Sequence, residues 1–413
     1  MMTLLECAER IRAIFSNPRT MEEARTEARH FTRNRKMPFG RLLEYLLHGS
    51  KSATQSALNE FFKDPEEGRH MTQQALSKAR THFDHSPFLK AFYEVVNAEY
   101  NLDNDSNLPR RYGYKFLAVD GSIISLPNFP ELKELFGDVK GSPSARADIV
   151  LDVLNDRIVE AEFGALSGDE RSMAIEHIRK LKDRIRMEDT VFLFDRGYPS
   201  KEMIAAILQA GAHFIMRVKR KFNADIDAAP MGSCVVMLDG TRVRIVKFIL
   251  PSGQTETLIT DLFDMPESRF QELYFLRWGV EEKYDVVKNK LELPNFTGRT
   301  ANVLYQDFWI SMLLANVASV AKAEADGKVQ TKRAGKANQY QYQYQTNVNN
   351  AIASLRNRFA DAVFCPDPSL RAKRVDAIIH EITASAVPKR PDRTVPRKKA
   401  RKAKYHHNKK SNV

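Results

Sequence analysis

The chain has 413 residues, 43% hydrophobic and 28% charged, enough for two or three domains with a sizeable core. Its formal charge is +12, but a net +10 of that falls in residues 388–413; this points to a polyanionic partner and excludes a uniformly basic body. Cys7, Cys234 and Cys365 stand far apart with no CxxC or Cys/His spacing, which excludes a disulfide framework and a zinc site.

Residues 1–110 read as helical. Leu42, Leu43, Tyr45, Leu46 and Leu47 form an apolar run closed by Gly49, and Ala57, Leu58, Phe61 and Phe62 follow at helical spacing. Over 71–80, Thr72 is the expected N-cap. Ala75, Leu76 and Ala79 would pack inward, leaving Gln73, Gln74, Lys78 and Arg80 facing out. That pattern suits a helix-turn-helix DNA reader and a solvated bundle helix equally. No run of about 18 apolar residues predicts a membrane-spanning helix, and the N-terminus lacks the apolar core of a signal peptide.

From residue 114 the texture changes. The stretch 114–120 is a strand candidate ending on an acid, and 148–154 and 157–163 are two more. Residues 172–187 predict a helix with Ile175, Ile178, Leu181 and Ile185 as its apolar stripe. Val191-Phe-Leu-Phe194 is a short buried strand leading into Asp195-Arg-Gly-Tyr198. Ser200 caps a helix over 201–210, and 213–218 is a fifth strand. Three strands, helix, strand, helix, strand is the order of an RNase H-like α/β core. Residues 224–260 are β-rich, with turns at Asp239-Gly240 and Ser252-Gly253. Pro266 opens a predicted helix running to about Leu291. Residues 308–323 form an apolar helix, 339–345 an extended Gln/Tyr connector, and 349–359 and 375–384 late helices.

The predicted 266–291 helix carries Tyr274, Arg277, Glu281 and Lys288. Their offsets of 3, 7 and 14 stack along one stripe of a continuous helix. A second stripe, Leu273, Leu276, Val280, Tyr284 and Val287, sits one residue earlier, about 100° round the axis. One face would pack on a core while the next presents Arg, carboxylate and Lys. Asp120 follows the apolar run 116–119 and precedes Gly121-Ser122, placing it at a strand end beside a turn; Asp195 ends its own apolar run. In α/β sheets the carboxyl ends of strands are where sites form. Each acid alone is commonplace, but three in matching elements point to one site. Carboxylates brought together repel one another, so the cluster makes sense around a cation. Phosphoryl transfer on DNA needs an activated oxygen nucleophile, a stabilised leaving oxygen and a neutralised phosphate, all of which two Mg²⁺ ions provide.

The pattern Tyr274-x2-Arg277-x3-Glu281-x6-Lys288 resembles the signature of the IS4-type DDE transposases. Asp120-Gly-Ser-x-x-Ser-Leu-Pro127 is similar to that family's first-Asp box, and Asp195-Arg-Gly-Tyr198 to its second. Glu292-Leu-Pro-Asn-Phe-Thr-Gly298 and Gln306-Asp307-Phe308 resemble segments that follow the Glu helix in many members, so the likeness covers roughly 115–359.

The resemblance implies an α/β fold: an RNase H-like catalytic core over 111–223 and 261–385, with a β-rich insertion, 224–260, before the last catalytic helix. A helical N-terminal region, 1–110, would bind DNA ends. A basic tail, 386–413, would be disordered when free and contact DNA non-specifically. Asp120, Asp195 and Glu281 would be the catalytic, metal-binding triad for two Mg²⁺ ions, with Mn²⁺ as substitute. Tyr274, Arg277, Lys288 and Arg196 would contact DNA. Tyr198 and Trp278 read as core packing. Some family members stack a Trp of the insertion on a flipped base; this insertion has none, since the chain's two are Trp278 and Trp309.

The implied function is a cut-and-paste DNA transposase. It would bind the terminal inverted repeats of an insertion sequence as a DNA-bound homodimer, cleave there, and use the freed 3′-hydroxyl on target DNA. It would reside in the cytoplasm with the nucleoid and not on a membrane. Two alternatives stay open: an RNase H-fold nuclease without strand transfer, and an inactive or domesticated transposase that only binds DNA.

Overall fold

The computed structural model describes residues 2–33, 36–49, 51–63, 70–334, 341–356 and 358–390. They form two compact units. One comprises 96–125 and 133–285; the other comprises 2–95, 126–132 and the chain from 286 onwards.

The first unit is built on a nine-stranded sheet. Its strands are β1 (Lys115–Ser125), β2 (Asp138–Val139), β3 (Ser142–Asp152), β4 (Arg157–Gly164), β5 (Thr190–Phe194), β6 (His213–Arg217), β7 (Gly232–Leu238), β8 (Thr241–Ile249) and β9 (Thr255–Thr260). β1, β5 and β6 run parallel in the middle. β3 continues antiparallel beyond β1 and carries β4 and β2. β9, β8 and β7 continue antiparallel beyond β6. Parallel strands are covered on both faces and therefore read as unbroken apolar runs. Phe116 to Val119 and Val191 to Phe194 are fully buried accordingly. The helices Glu170–Lys182 and Lys201–Gln209 join β4 to β5 and β5 to β6. Asp169 and Ser200 cap them, each accepting a backbone N–H three residues on at 3.1 Å.

The β-rich stretch extends the same sheet, because β9 returns alongside β6 with Ile215 opposite Thr260. Asp239 and Gly240, at φ +50° and +84°, make the tight turn between β7 and β8. A five-residue helix, Ala224–Ala228, precedes it. That helix is too short to register as a period in the sequence.

β1 is longer than its apolar run. It continues through Gly121 and Ser122 to Ser125, because β3 supplies an antiparallel partner along that length. Asp120 therefore lies within a strand, not at a strand end before a turn. Its neighbourhood still opens at that point, since the parallel ladder to β5 stops at Ala118. The start of β1 is pinned by charge. Lys115 is fully buried, its Nζ 2.8 Å from Asp105 Oδ2 and paired with Asp189, and Arg110 bridges the same two acids.

The second unit is helical. Its longest element is Ala301–Ala334, which packs against Leu4–Ser16, Val348–Arg356 and Pro368–Ala384. At 34 residues it is about twice the length expected from 308–323, and by length and composition it could cross a membrane. The apolar window is 94% buried inside the protein, as a core helix requires. Part of the Gln/Tyr segment forms a two-residue strand, Tyr344–Gln345, paired with Val387–Pro388. Residues 391–413, which carry most of the basic tail, lie outside the described residues.

Candidate active site

The predicted continuous helix over 266–291 is broken. It comprises a 3₁₀ turn (Glu267–Arg269), an α-helix (Phe270–Phe275), a second α-helix (Trp278–Asp285) and a π-helical turn (Val286–Lys290). At the joint, the N–H groups of Leu276, Arg277, Gly279 and Val280 bond three residues back instead of four. This tighter winding carries the later residues round the axis and breaks the single stripe. Gly279 lowers the cost of leaving α geometry there.

The joint gathers side chains that a straight helix would have spread along its face. Tyr274 Oη donates to Asp195 Oδ1 at 3.3 Å, and Arg217 Nη1 lies 3.8 Å from the same oxygen. Arg277 Nη2 donates to Glu281 Oε1 at 2.7 Å, with its guanidinium 5.9 Å from the Tyr274 ring. Tyr284 Oη lies 2.8 Å from the Asp120 carbonyl oxygen and 2.9 Å from that of Ala147. One hydroxyl thus ties the helix bearing Glu281 to both β1 and β3. In the sequence Tyr284 read only as part of the apolar stripe.

The electrostatics place the acids in one field. Burial pushes the Asp120 carboxyl up to about 7; Arg277 opposes this, and the charges of Asp148, Glu281 and Asp195 add to it. Asp148 was not expected. It is fully buried on β3 opposite Gly121, with Oδ1 3.2 Å from His177 Nε2. Burial raises its pKa too, with His177 opposing. A Cβ on Gly121 would come within 2.9 Å of Asp148 Oδ2. The glycine after Asp120 is therefore what admits a further carboxylate beside it. The sequence signal for Asp148 was an acid heading an apolar strand, and only the β1–β3 register shows where it goes.

Asp120, Asp195 and Glu281 offer only carboxylate oxygens, the donor type a hard divalent cation takes, but among the described residues they do not form a group whose ligand atoms all lie within 4.8 Å of one another. A separate group, Glu44, His48 and Asp361, has ligand atoms within 4.8 Å of one another in the second unit. There Arg41 Nη1 already lies 2.8 Å from Glu44 Oε2 and supplies a counter-charge.

The other predicted residues divide. Tyr274 and Arg277 are 9% and 6% exposed, so they face the acids and are not presented outward. Arg196 is exposed just after Asp195. Lys288 lies in the π-helical turn, within the second unit. Tyr198 is buried against Phe194, their rings 5.1 Å apart, as expected of core packing. Trp278 is 40% exposed, which corrects its reading as a core residue, because the broken joint turns it outward.

Residues 111–317 match the family described as the transposase DDE domain. The chain belongs to the DDE transposases. The transposase InsG of insertion sequence element IS4 from Escherichia coli (strain K12) is 22% identical over 236 residues, 51% of this chain and 52% of that protein. The putative transposase y4zB from Sinorhizobium fredii is 22% identical over 239 residues, 51% of this chain and 62% of that one. The chain thus spans roughly half to three-fifths of the length of these curated relatives. The IS4-type resemblance read from the motifs holds. The fold is shared with the piggyBac transposase of a synaptic complex with hairpin DNA, at a TM-score of 0.54 and 9% identity, over 92% of this chain and 85% of that one.

Proposed function

We propose that this DDE transposase binds the terminal inverted repeats of an insertion sequence, cleaves the DNA at their ends and joins the freed ends to a target. One observation carries the reading. Tyr274 and Arg277, on either side of the helix joint, hold Asp195 and Glu281 at 3.3 and 2.7 Å, and the charges of both acids help push up the carboxyl of Asp120 on β1. Asp120, Asp195 and Glu281 would hold Mg²⁺, as two ions, with Mn²⁺ as substitute. When bound, the cation neutralises phosphate charge and activates the attacking oxygen.

The protein's own groups set the geometry. Arg277 holds Glu281, while Tyr274 and Arg217 hold Asp195. Tyr284 fixes the β1 backbone at Asp120. Arg196 and Lys288 contact backbone phosphates as a fork and a point charge, respectively. In the first step water attacks the phosphodiester, its P–O3′ bond breaks, and a 3′-hydroxyl is released. In the second step that hydroxyl attacks a target phosphorus, a new P–O bond forms, and the target's own 3′-oxygen departs. Residues 1–110 contribute to binding the ends, and a DNA-bound homodimer holds two ends together. The work is done on DNA in the cytoplasm. The related InsG belongs to an insertion sequence, which favours transposition over simple hydrolysis.

The test uses labelled DNA carrying the inverted repeats that flank the gene, with Mg²⁺, wild type and Glu281→Gln. Wild type should cut at the repeat ends and join them to target. The variant should bind and do neither, at least a hundredfold down on the usual scale for losing electrostatic stabilisation of a reacting group. Cutting without joining would leave a nuclease. Binding by both proteins with no reaction in any metal would leave a DNA-binding protein.

A further inference from the structure

The second unit contains an open groove of about 1130 Å³ that the chemistry above does not use. One wall is the Gln73–Arg80 helix; the other is the 296–300 loop with Pro127 and Phe129. The volume exceeds the ~300–1,000 Å³ of ordinary small-molecule pockets, so the groove suits a segment of polymer.

Among the described residues its lining has one sign of charge. No carboxylate lines it among the described residues, while Lys78, Arg80 and Arg299 do. Arg80 is neutralised beneath the floor, where Nη2 meets Asp307 Oδ1 at 2.8 Å and Nε meets Gln306 at 2.9 Å. Lys78 and Arg299 are exposed, and neither has an ion-pair partner among the described residues. The Arg299 guanidinium lies over the Phe129 ring at 5.1 Å, which holds its fork in place. Gln73, Gln74, Ser77 and Thr81 add exposed amides and hydroxyls along the helix side.

The walls are fixed relative to one another. Arg80 reaches Thr297 and Asp307 across the groove floor. Asn302 Nδ2 donates to the Phe83 carbonyl at 2.7 Å, and Gln306 Nε2 to the carbonyls of Arg80 and Phe83 at 3.1 Å each. A groove preformed in this way gives up little ordering entropy on binding.

We infer that this groove is a duplex-DNA site, with Lys78 and Arg299 on phosphates and Gln74 toward a base edge. Charge complementarity selects the occupant: a cation with no ion-pair partner among the described residues stands on each wall, with hydrogen-bonding side chains between, as backbone contacts plus groove readout require. The inference rests on DNA being the substrate.

The test is fluorescence anisotropy with inverted-repeat and scrambled duplexes over a range of salt. All proteins carry Glu281→Gln, so that nothing is cut. Adding Lys78→Ala and Arg299→Ala together should weaken binding to both duplexes about tenfold or more, and reduce the slope of log K against log salt by about 2. Adding Gln74→Ala alone should narrow the preference for the repeat. Lys328→Ala, an exposed charge elsewhere in the same unit, should change neither measure. Circular dichroism confirms that each variant is folded. Unchanged affinity and slope in the Lys78/Arg299 variant would overturn the groove while leaving the function intact. Failure of the parent protein to bind either duplex would instead defeat the functional reading.

Discussion

At the scale of the residue, Asp120 is the most consequential group. Burial and its neighbours' charges push its carboxyl up to about 7. A folded-state pKa raised above the ordinary carboxylate value is harmless below about pH 4; it costs stability progressively as pH rises and the buried carboxylate ionises through pH 7. A divalent cation binds the ionised form and reverses that cost. Mg²⁺ should therefore raise Tm more at pH 8 than at pH 6, and its binding at pH 6 should release protons that Asp120→Asn does not release. Differential scanning fluorimetry, with calorimetry in buffers of different ionisation enthalpy, measures both. Equal Tm shifts at the two pH values would rule out Asp120 as the titrating ligand. Asp120 and Asp195 could be singled out in the sequence because each ends an apolar run, a local signal. Asp148 could not, because its place beside Gly121 depends on a strand register set almost thirty residues away.

At the scale of the element, two units of secondary structure were read correctly in kind and wrongly in extent. β1 outruns its apolar stretch because β3 lends it hydrogen-bond partners. The Glu281 helix breaks at Leu276 and Arg277, where Tyr274 and Arg277 turn to meet the acids. Helical periodicity assumes constant winding and cannot show such a joint. The root of β1 depends on Lys115, which neutralises Asp105 and Asp189 inside the sheet. Lys115→Met keeps the volume and removes the charge, leaving Asp105 buried with only Arg110. The loss should be about 3–5 kcal/mol, the usual cost of breaking a buried pair from one side. Urea denaturation followed by tryptophan-independent circular dichroism gives the value; a loss under about 1 kcal/mol would show that Arg110 suffices.

At the scale of the whole molecule, the chain folds as two units whose stabilities rest on different buried charges. In the helical unit, burial alone would raise the pKa of Asp307. Arg80, Lys51 and the Thr297 N–H overcome this and hold it at about 2. A depressed folded pKa contributes stability above the ordinary carboxylate range, and that contribution is lost as pH falls through about 2. The size is about 2 kcal/mol. Asp307→Asn should thus lower stability at pH 7 and leave it less dependent on pH between 4 and 2, as seen in urea midpoints across that range. An unchanged pH dependence would place the acid sensitivity elsewhere. Gln306 and Asp307, which resembled a family motif in the sequence, hold Arg80 and with it the floor of the basic groove.

The sequence by itself determined the family, the central parallel strands, the capped helices between them and three acids in order. Those features are written in local patterns: apolar runs, cap residues and fixed spacings. Only the tertiary structure decided how the acids are held, because Arg217 and Tyr284 reach them from elements far away in the chain, and that the charge of Asp148 bears on Asp120. It alone also decided that Tyr274 and Arg277 face inward and that a groove with no carboxylate among the described residues lies beside Lys78 and Arg299. Strand register, a change of helical winding and charge complementarity between distant segments are non-local, so no window along the chain contains them.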